Sequence, residues 1–306
     1  MASILVIAPH CSTGGLPAYV LAYLEGMQAH GHDVHFSEFA NISDSYTVQR
    51  DKIRSRFPWT CHSGCDQSLL LTINKGFDAI HFQENPLTFL QPKTLSKILM
   101  GRSNYKLFLT SHDVFLNYSG LPFQADRYVA VCEWQATQIR EQVRASDVKV
   151  AAYPITKIRP SIIAKDKAKS HLGFDSNKKH LLQVGLWHPN KNQTWTIDAS
   201  QYLPTDWHIH FIGNQAPNFK EYWANIEIPD NCTVWGERAD VDVFMRAADA
   251  FVMPSKYELA PISLKEAIGA GIDCYVSPLK VYKGHEYDSI KYIDLGDPKS
   301  LLQSIQ

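Results

Sequence analysis

Ala250-Phe251-Val252-Met253-Pro254-Ser255-Lys256-Tyr257-Glu258-Leu259-Ala260-Pro261-Ile262-Ser263-Leu264-Lys265-Glu266 carries the chain from an apolar run, through a proline-bounded loop, into a helical pattern. Ala250–Met253 suits a strand buried on both faces, and Pro254 ends the ladder because it has no N–H to contribute. Pro261 suits a first helical position, so the open amides behind it, those of Ile262 and Ser263, point into the crevice beyond the strand end. Glu258 then stands in the loop, and Glu266 one to two turns inside the helix. At that separation the carboxylates reach different parts of one elongated ligand instead of pairing as acid and base. A helix that carries two surface glutamates is the plain alternative for this segment taken by itself.

The same β-then-α rhythm extends in both directions. Upstream in the second half the strand candidates are His180–Val184, Trp207–Ile212 and Cys232–Trp235, and downstream Asp273–Ser277. The first half repeats the pattern with Ile4–Ala8, Asp33–Phe39, Asp78–Phe82, Lys106–Thr110, Arg127–Cys132 and Val148–Ala152, rich in Val, Ile, Phe and Tyr. Short β-branched runs alternating with helix-length stretches are the mark of parallel sheets wrapped by helices. In the first helix Val20, Leu24 and Met27, with Leu21 beside them, share one face, and Gly31 ends it. Tyr153-Pro154-Ile155-Thr156-Lys157-Ile158-Arg159-Pro160 breaks both helix and ladder, which sets a hinge between two α/β domains, 1–155 and 156–306.

Composition narrows the function. The 306 residues carry 30 Lys plus Arg against 31 Asp plus Glu, so no field attracts a polyanion and nucleic acid is excluded as a partner. The cluster Lys165–Lys169, interrupted by Asp166, reads as a solvated helix start. The first apolar run, Ile4–Ala8, is too short for a signal core, and no stretch reaches membrane-spanning length. Six cysteines without a signal suggest reduced thiols in a cytoplasmic setting, with peripheral membrane contact left open.

Pro9-His10-Cys11-Ser12-Thr13-Gly14-Gly15-Leu16-Pro17 is a strand end that passes through two glycines into a helix. Gly14 and Gly15 permit positive φ and close backbone approach to an anion at the helix start, although a tight turn needs the same residues. Two further signals are set aside. Asp240-Val241-Asp242 matches a metal-binding acidic pair, but its place ahead of Phe244-Met245 suits helix-start acids. Cys61-His62-Ser63-Gly64-Cys65 lacks a second cluster to complete a tetrahedral metal site and reads as a surface loop. Trp59 and Trp134 suit core packing more than an acceptor groove.

Most of the chain resembles the retaining glycosyltransferases of the GT-B fold, in particular glycosyltransferase family 4. Val184-Gly185-Leu186-Trp187-His188-Pro189-Asn190-Lys191-Asn192 is similar to the segment that opens that family's donor domain. Phe211-Ile212-Gly213 and Val234-Trp235-Gly236 resemble its next strand ends, and Ala247–Ser255 with Glu258 and Glu266 resembles its most specific motif. In the first half Gly14-Gly15, Gly31-His32-Asp33-Val34 and Ser111-His112-Asp113 complete the likeness. The resemblance implies two Rossmann-like α/β/α domains facing across a cleft, acceptor side first and donor side second, with a carboxyl-terminal crossing helix expected to be missing or shortened. It implies transfer of a hexose from a UDP- or GDP-sugar to a saccharide, lipid or protein acceptor, with retention and without a metal or other cofactor.

Roles follow from the same resemblance. Lys191 would hold the donor diphosphate, Glu266 the ribose hydroxyls and Glu258 the sugar ring, while Ile262 and Ser263 amides meet phosphate or sugar. His112 would contact the sugar or nearby phosphate, and Gly185, Gly213, Trp235 and Gly236 would border the donor. One position departs from the family: Leu186 stands where an arginine usually follows the glycine, and an alkyl chain cannot fork onto phosphate oxygens. Either another cation such as Arg238 or Lys256 substitutes, or the diphosphate is held more weakly. The departure also motivates a second reading, an idle nucleotide-sugar binder, beside a third, a GT-B sugar epimerase.

Overall fold

The structure, a computed structural model, describes residues 1–11, 14–40, 48–143, 147–154, 163–282 and 287–305. The chain divides into two compact units, Met1–Tyr153 and Pro154–Gln306. Residues 155–160 of the expected hinge, and Ser12 and Thr13 of the glycine loop, lie outside the described residues.

In the first unit the elements run β1 (Ser3–Ala8), α1 (Gly15–Ala29), β2 (Asp33–Glu38), α2 (Val48–Arg54), β3 (Trp59–Cys61), α3 (Asp66–Ile73), β4 (Ala79–Phe82), α4 (Pro92–Met100), β5 (Lys106–Leu109), β6 (Arg127–Ala130), α5 (Glu133–Gln142) and β7 (Val148–Val150). Among the described residues they build a seven-stranded parallel sheet in the order β3-β2-β1-β4-β5-β6-β7. The central strand β1 is apolar from Ile4 to Ala8 because both of its faces are covered. In β1, Ile4, Val6 and Ala8 pack with Val20 and Leu24 of α1. Leu5 and Ile7 face the other way, onto Leu69, Leu95 and Ile139 of α3, α4 and α5.

The second unit continues with α6 (Lys165–Leu172), β8 (Lys179–Val184), α7 (Gln193–Ser200), β9 (Trp207–Ile212), α8 (Lys220–Trp223), β10 (Cys232–Val234), α9 (Val241–Ala247), β11 (Ala250–Met253), α10 (Ile262–Ala270), β12 (Asp273–Val276), β13 (Ile290–Tyr292) and α11 (Ser300–Ile305). The sheet is again parallel, in the order β10-β9-β8-β11-β12-β13 among the described residues. Trp195 and Ala199 of α7 and Leu301 of α11 fill the core on one face with Leu181, Ile209, Phe211 and Val252. On the other face α6 and α10 both pack against α9.

Several readings need correction. Trp59–Cys61 and Ile290–Tyr292 are edge strands that the sequence pattern did not reveal, so the supposed surface loop at Cys61 begins inside the sheet. His62 is buried and holds Ser68 and Ser37 at 2.9 and 3.1 Å, which makes it a structural residue. The lysines at 165–169 are not merely solvated: Lys165 and Lys169 bind Asp249 at 2.7 and 3.0 Å and bolt α6 to the entrance of β11. Pro261 is the N-cap of α10 in an extended conformation, one position earlier than expected, so Ile262 opens the helix.

Candidate functional site

A doubly wound parallel sheet opens a crevice where the strand order reverses, because the loops on either side of that point lead to helices on opposite faces. In the second unit the reversal falls between β8 and β11. The loop leaving β8 carries Lys191 and the loop leaving β11 carries Glu258, so the two most chemically pointed residues of the sequence flank the same crevice. They touch: Lys191 Nζ lies 2.5 Å from Glu258 Oε1, with the carboxylate mostly buried and the ammonium about a quarter exposed.

Backbone geometry holds the pair in place. Lys191 N–H donates to His188 O at 2.8 Å, and Gln183 Nε2 donates to Lys191 O at 2.8 Å from within β8. The aliphatic stem of Lys191 runs over Gly185, where an added methyl would sit 3.5 Å from its Cδ. Gly213, at φ 148°, comes so close to the neighbouring strand end that a methyl there would lie 1.9 Å from Gly185 O. Its own N–H donates to Gly236 O at 2.8 Å, and Gly185 N–H donates to Ile212 O at 2.8 Å. Close backbone approach thus demands glycine at 213, and the left-handed φ of 67° favours it at 236.

Ile262 and Ser263 open α10 a few residues beyond Glu258. The first helical closure is Lys265 N–H onto Pro261 O at 3.2 Å, so the amides ahead of it have no carbonyl within the helix to bond. Such a helix tip favours negative charge. Glu266 stands half-buried one turn further along the same helix. Trp235 is oriented from behind: its indole N–H donates to His210 Nδ1 at 3.0 Å, His210 Nε2 meets His180 Nδ1 at 3.0 Å, and His180 Nε2 meets Asp175 O at 2.9 Å. The directions are consistent only if His210 and His180 are both neutral, and burial pushes the His210 imidazole down to about 2.

Arg238, one of the two cations that could replace the missing arginine, is already paired. Its Nε and Nη2 fork onto Asp240 at 2.8 and 2.7 Å; Asp240 stands at the start of α9, where its carboxylate makes no capping hydrogen bond and is given to the guanidinium instead. Lys256 remains, with its N–H donating to Asn190 O at 2.9 Å.

The first unit has its own reversal, between β1 and β4. Gly14 caps α1 at φ 108° and Gly15 is its first residue, both at the carboxyl end of β1. His112 follows β5. Its backbone N–H donates to Glu84 Oε2 at 3.0 Å, and its ring stands edge-on to Tyr19 at 5.0 Å. Burial pushes its imidazole down to about 4, so it is neutral at physiological pH. Among the described residues its Nε2 is buried and has no hydrogen-bond partner. Glu84, which the sequence reading passed over, also accepts from Ser111 Oγ at 2.6 Å and Asn85 N–H at 2.8 Å, and burial raises its carboxyl despite those donors. Its only signal in the sequence was a carboxylate directly beyond an apolar strand. Two recesses of about 470 and 490 Å³ in this unit, lined by residues such as Gln67 and Tyr105 or Asp33 and Trp59, include none of the residues expected to be catalytic or donor-binding.

Known proteins resemble this chain in sequence and in fold. Residues 164–283 match the family described as Glycosyl transferases group 1. A UDP-Gal:alpha-D-GlcNAc-diphosphoundecaprenol alpha-1,3-galactosyltransferase from Escherichia coli is 23% identical over 180 residues, which cover 54% of this chain and 46% of the relative. The chain spans less than half the length of the curated relatives it matches. Anabaena HepE, crystallised with UDP and glucose, superposes with a TM-score of 0.78 at 16% identity, covering 99% of this chain and 88% of HepE. Sucrose-phosphate synthase from Thermosynechococcus elongatus gives 0.73 at 15% identity over 100% of this chain and 89% of its own. The two parallel-sheet α/β units are those of the GT-B fold.

Proposed function

We propose that this chain of GT-B fold is a glycosyltransferase that moves a hexose from a nucleotide diphosphate sugar, UDP-linked by preference, onto an acceptor hydroxyl with retention of configuration and without a metal. The observation that carries the reading is the Lys191–Glu258 contact at the strand-order reversal of the second sheet, beside the open tip of α10. A cation and a helix start side by side suit a diphosphate, and an adjacent carboxylate suits sugar hydroxyls.

In the proposed reaction Lys191 and the amides of Ile262 and Ser263 take the diphosphate oxygens. As the bond from the anomeric carbon to the leaving phosphate lengthens, negative charge grows on that phosphate, and this fixed positive environment stabilises it. The acceptor oxygen bonds to the anomeric carbon from the face the diphosphate leaves, and the acceptor's proton passes to the departing phosphate oxygen. Glu258 holds the sugar ring by accepting hydrogen bonds from its hydroxyls. Glu266 holds the ribose, while Trp235, Gly213 and Gly236 border the base. His112, neutral and with an unpartnered ring nitrogen, is assigned a sugar or phosphate contact.

Leu186 and the pairing of Arg238 with Asp240 favour weaker diphosphate retention than a forked guanidinium would give, which keeps an idle nucleotide-sugar binder as the second reading. A thermal-shift panel of nucleotide sugars, followed by hydrolysis of the one that binds, separates the two. The expected outcome is selective stabilisation by one donor, slow hydrolysis unaffected by chelator, and loss of at least about a hundredfold in turnover on Lys191→Ala. Binding without any hydrolysis or transfer would establish the idle reading, and no binding of any donor would sink both.

A further inference from the structure

Asn190 lies between the two loops that frame the crevice. Its side-chain Oδ1 accepts from Tyr257 N–H at 2.9 Å, its Nδ2 donates to Tyr257 O at 2.9 Å, and its backbone O accepts from Lys256 N–H at 2.9 Å. A carboxamide that both accepts from and donates to the backbone of one residue imitates a peptide group in a two-residue β bridge. The bridge joins the residue before Lys191 to the residue before Glu258. Asn192 adds a weaker tie from Nδ2 to Pro254 O at 3.3 Å. Asn190 is itself steadied by its N–H, which donates to His188 Nδ1 at 3.0 Å.

We infer that Asn190 is a positioning residue: its carboxamide clamps the Lys191 loop to the Glu258 loop and thereby sets the spacing between the diphosphate-binding cation and the sugar-binding carboxylate. The inference rests on the functional reading above and goes beyond it, because Asn190 need touch no substrate. Only asparagine satisfies the geometry. Aspartate would set an oxygen against the Tyr257 carbonyl, and glutamine would push the amide one methylene past it. Lys191 is also tied through Gln183, so it keeps its place when Asn190 is lost; on the other loop Ser255 O still accepts from Ser277 Oγ and Lys256 N–H still reaches Asn190 O, so the loss is felt at Tyr257 and the neighbouring Glu258.

The consequence is an asymmetric defect. Asn190→Ala should leave UDP affinity within about threefold of the native chain, yet lower the preference for UDP-glucose over UDP by about tenfold, the size of one or two lost hydrogen bonds. Amide exchange at Tyr257 should quicken at least about tenfold, while the amides of β8 and β11 keep their protection and show that the fold is intact. UDP and UDP-glucose affinities by calorimetry, with residue-resolved hydrogen exchange on the full chain, read both. Unchanged exchange at Tyr257 would overturn the clamp, and faster exchange with an unaltered UDP-glucose to UDP ratio would overturn its role in positioning. If the native chain binds neither UDP nor UDP-glucose, the functional reading fails instead, an outcome distinct from either of these.

Discussion

Lys191 and Glu258 neutralise each other where a diphosphate is proposed to bind, and that has a measurable cost to nucleotide affinity. A UDP approaching the crevice meets an ammonium already held at 2.5 Å by a carboxylate, and the carboxylate itself repels the phosphates. Glu258→Gln removes the repulsion and releases the cation. UDP should therefore bind between about threefold and tenfold more tightly to the variant, while turnover of the sugar donor falls, because the glutamine no longer accepts from sugar hydroxyls as a carboxylate does. Isothermal titration checks the first part and donor hydrolysis the second; weaker UDP binding in the variant would show that Glu258 does not oppose the diphosphate. The chain's sequence showed both residues but not their contact, which depends on β8 and β11 being neighbours despite the long stretch between them. Asn190 and Glu84 stayed invisible for the same reason, since each acts on a backbone segment far away in sequence.

Strand-to-strand contacts within the second sheet set a pH response. His180 on β8 and His210 on β9 form the chain that begins at Trp235, and Phe174 stacks on both rings at 4.4 and 3.9 Å. His210 is 4% exposed, and its folded-state value of about 2 lies below the ordinary 6.5. The unfolded chain therefore takes up a proton as pH falls below 6.5 and the folded chain does not. Stability is greatest above that point and declines through the window from 6.5 toward 2, by about 1.4 kcal/mol per pH unit for each such group. His81 and His112 in the first unit, pushed down to about 3 and 4, act in the same sense. Urea unfolding between pH 7 and pH 5 should show the decline, and His210→Gln should reduce its slope by about one proton; an identical slope would clear His210 of the effect. At this scale β1 and β11 were legible because parallel strands covered on both faces read as unbroken apolar runs. Their ends were not, and β3 and β13, three residues each at the sheet edges, offered too short a pattern.

Each unit has its own sheet and its own apolar core, and the residues proposed to hold the nucleotide diphosphate belong to the second. Unfolding should accordingly proceed in two calorimetric transitions, as chains with two cores commonly do. UDP at about a hundred times its dissociation constant should add about 2.7 kcal/mol to one of them, and so raise that midpoint by about 5 °C or more. A single transition that shifts as a whole would mean that the cores melt together, and a shift confined to the first unit would misplace the nucleotide. Among the described residues no helix is long and apolar enough to cross a membrane.

The fastening of α6 bears on how the molecule can be dissected. Asp249 takes both Lys165 and Lys169, its carboxyl is raised by burial yet held below the ordinary range by those lysines and the His180 N–H, and Arg246 Nε donates to Ile163 O at 3.1 Å. A fragment that begins at Ile163 retains every one of these fasteners. One trimmed to begin after Leu172 would strand a largely enclosed carboxylate beneath the sheet, so whoever cuts the gene should spare the short helix even though it carries nothing that reacts.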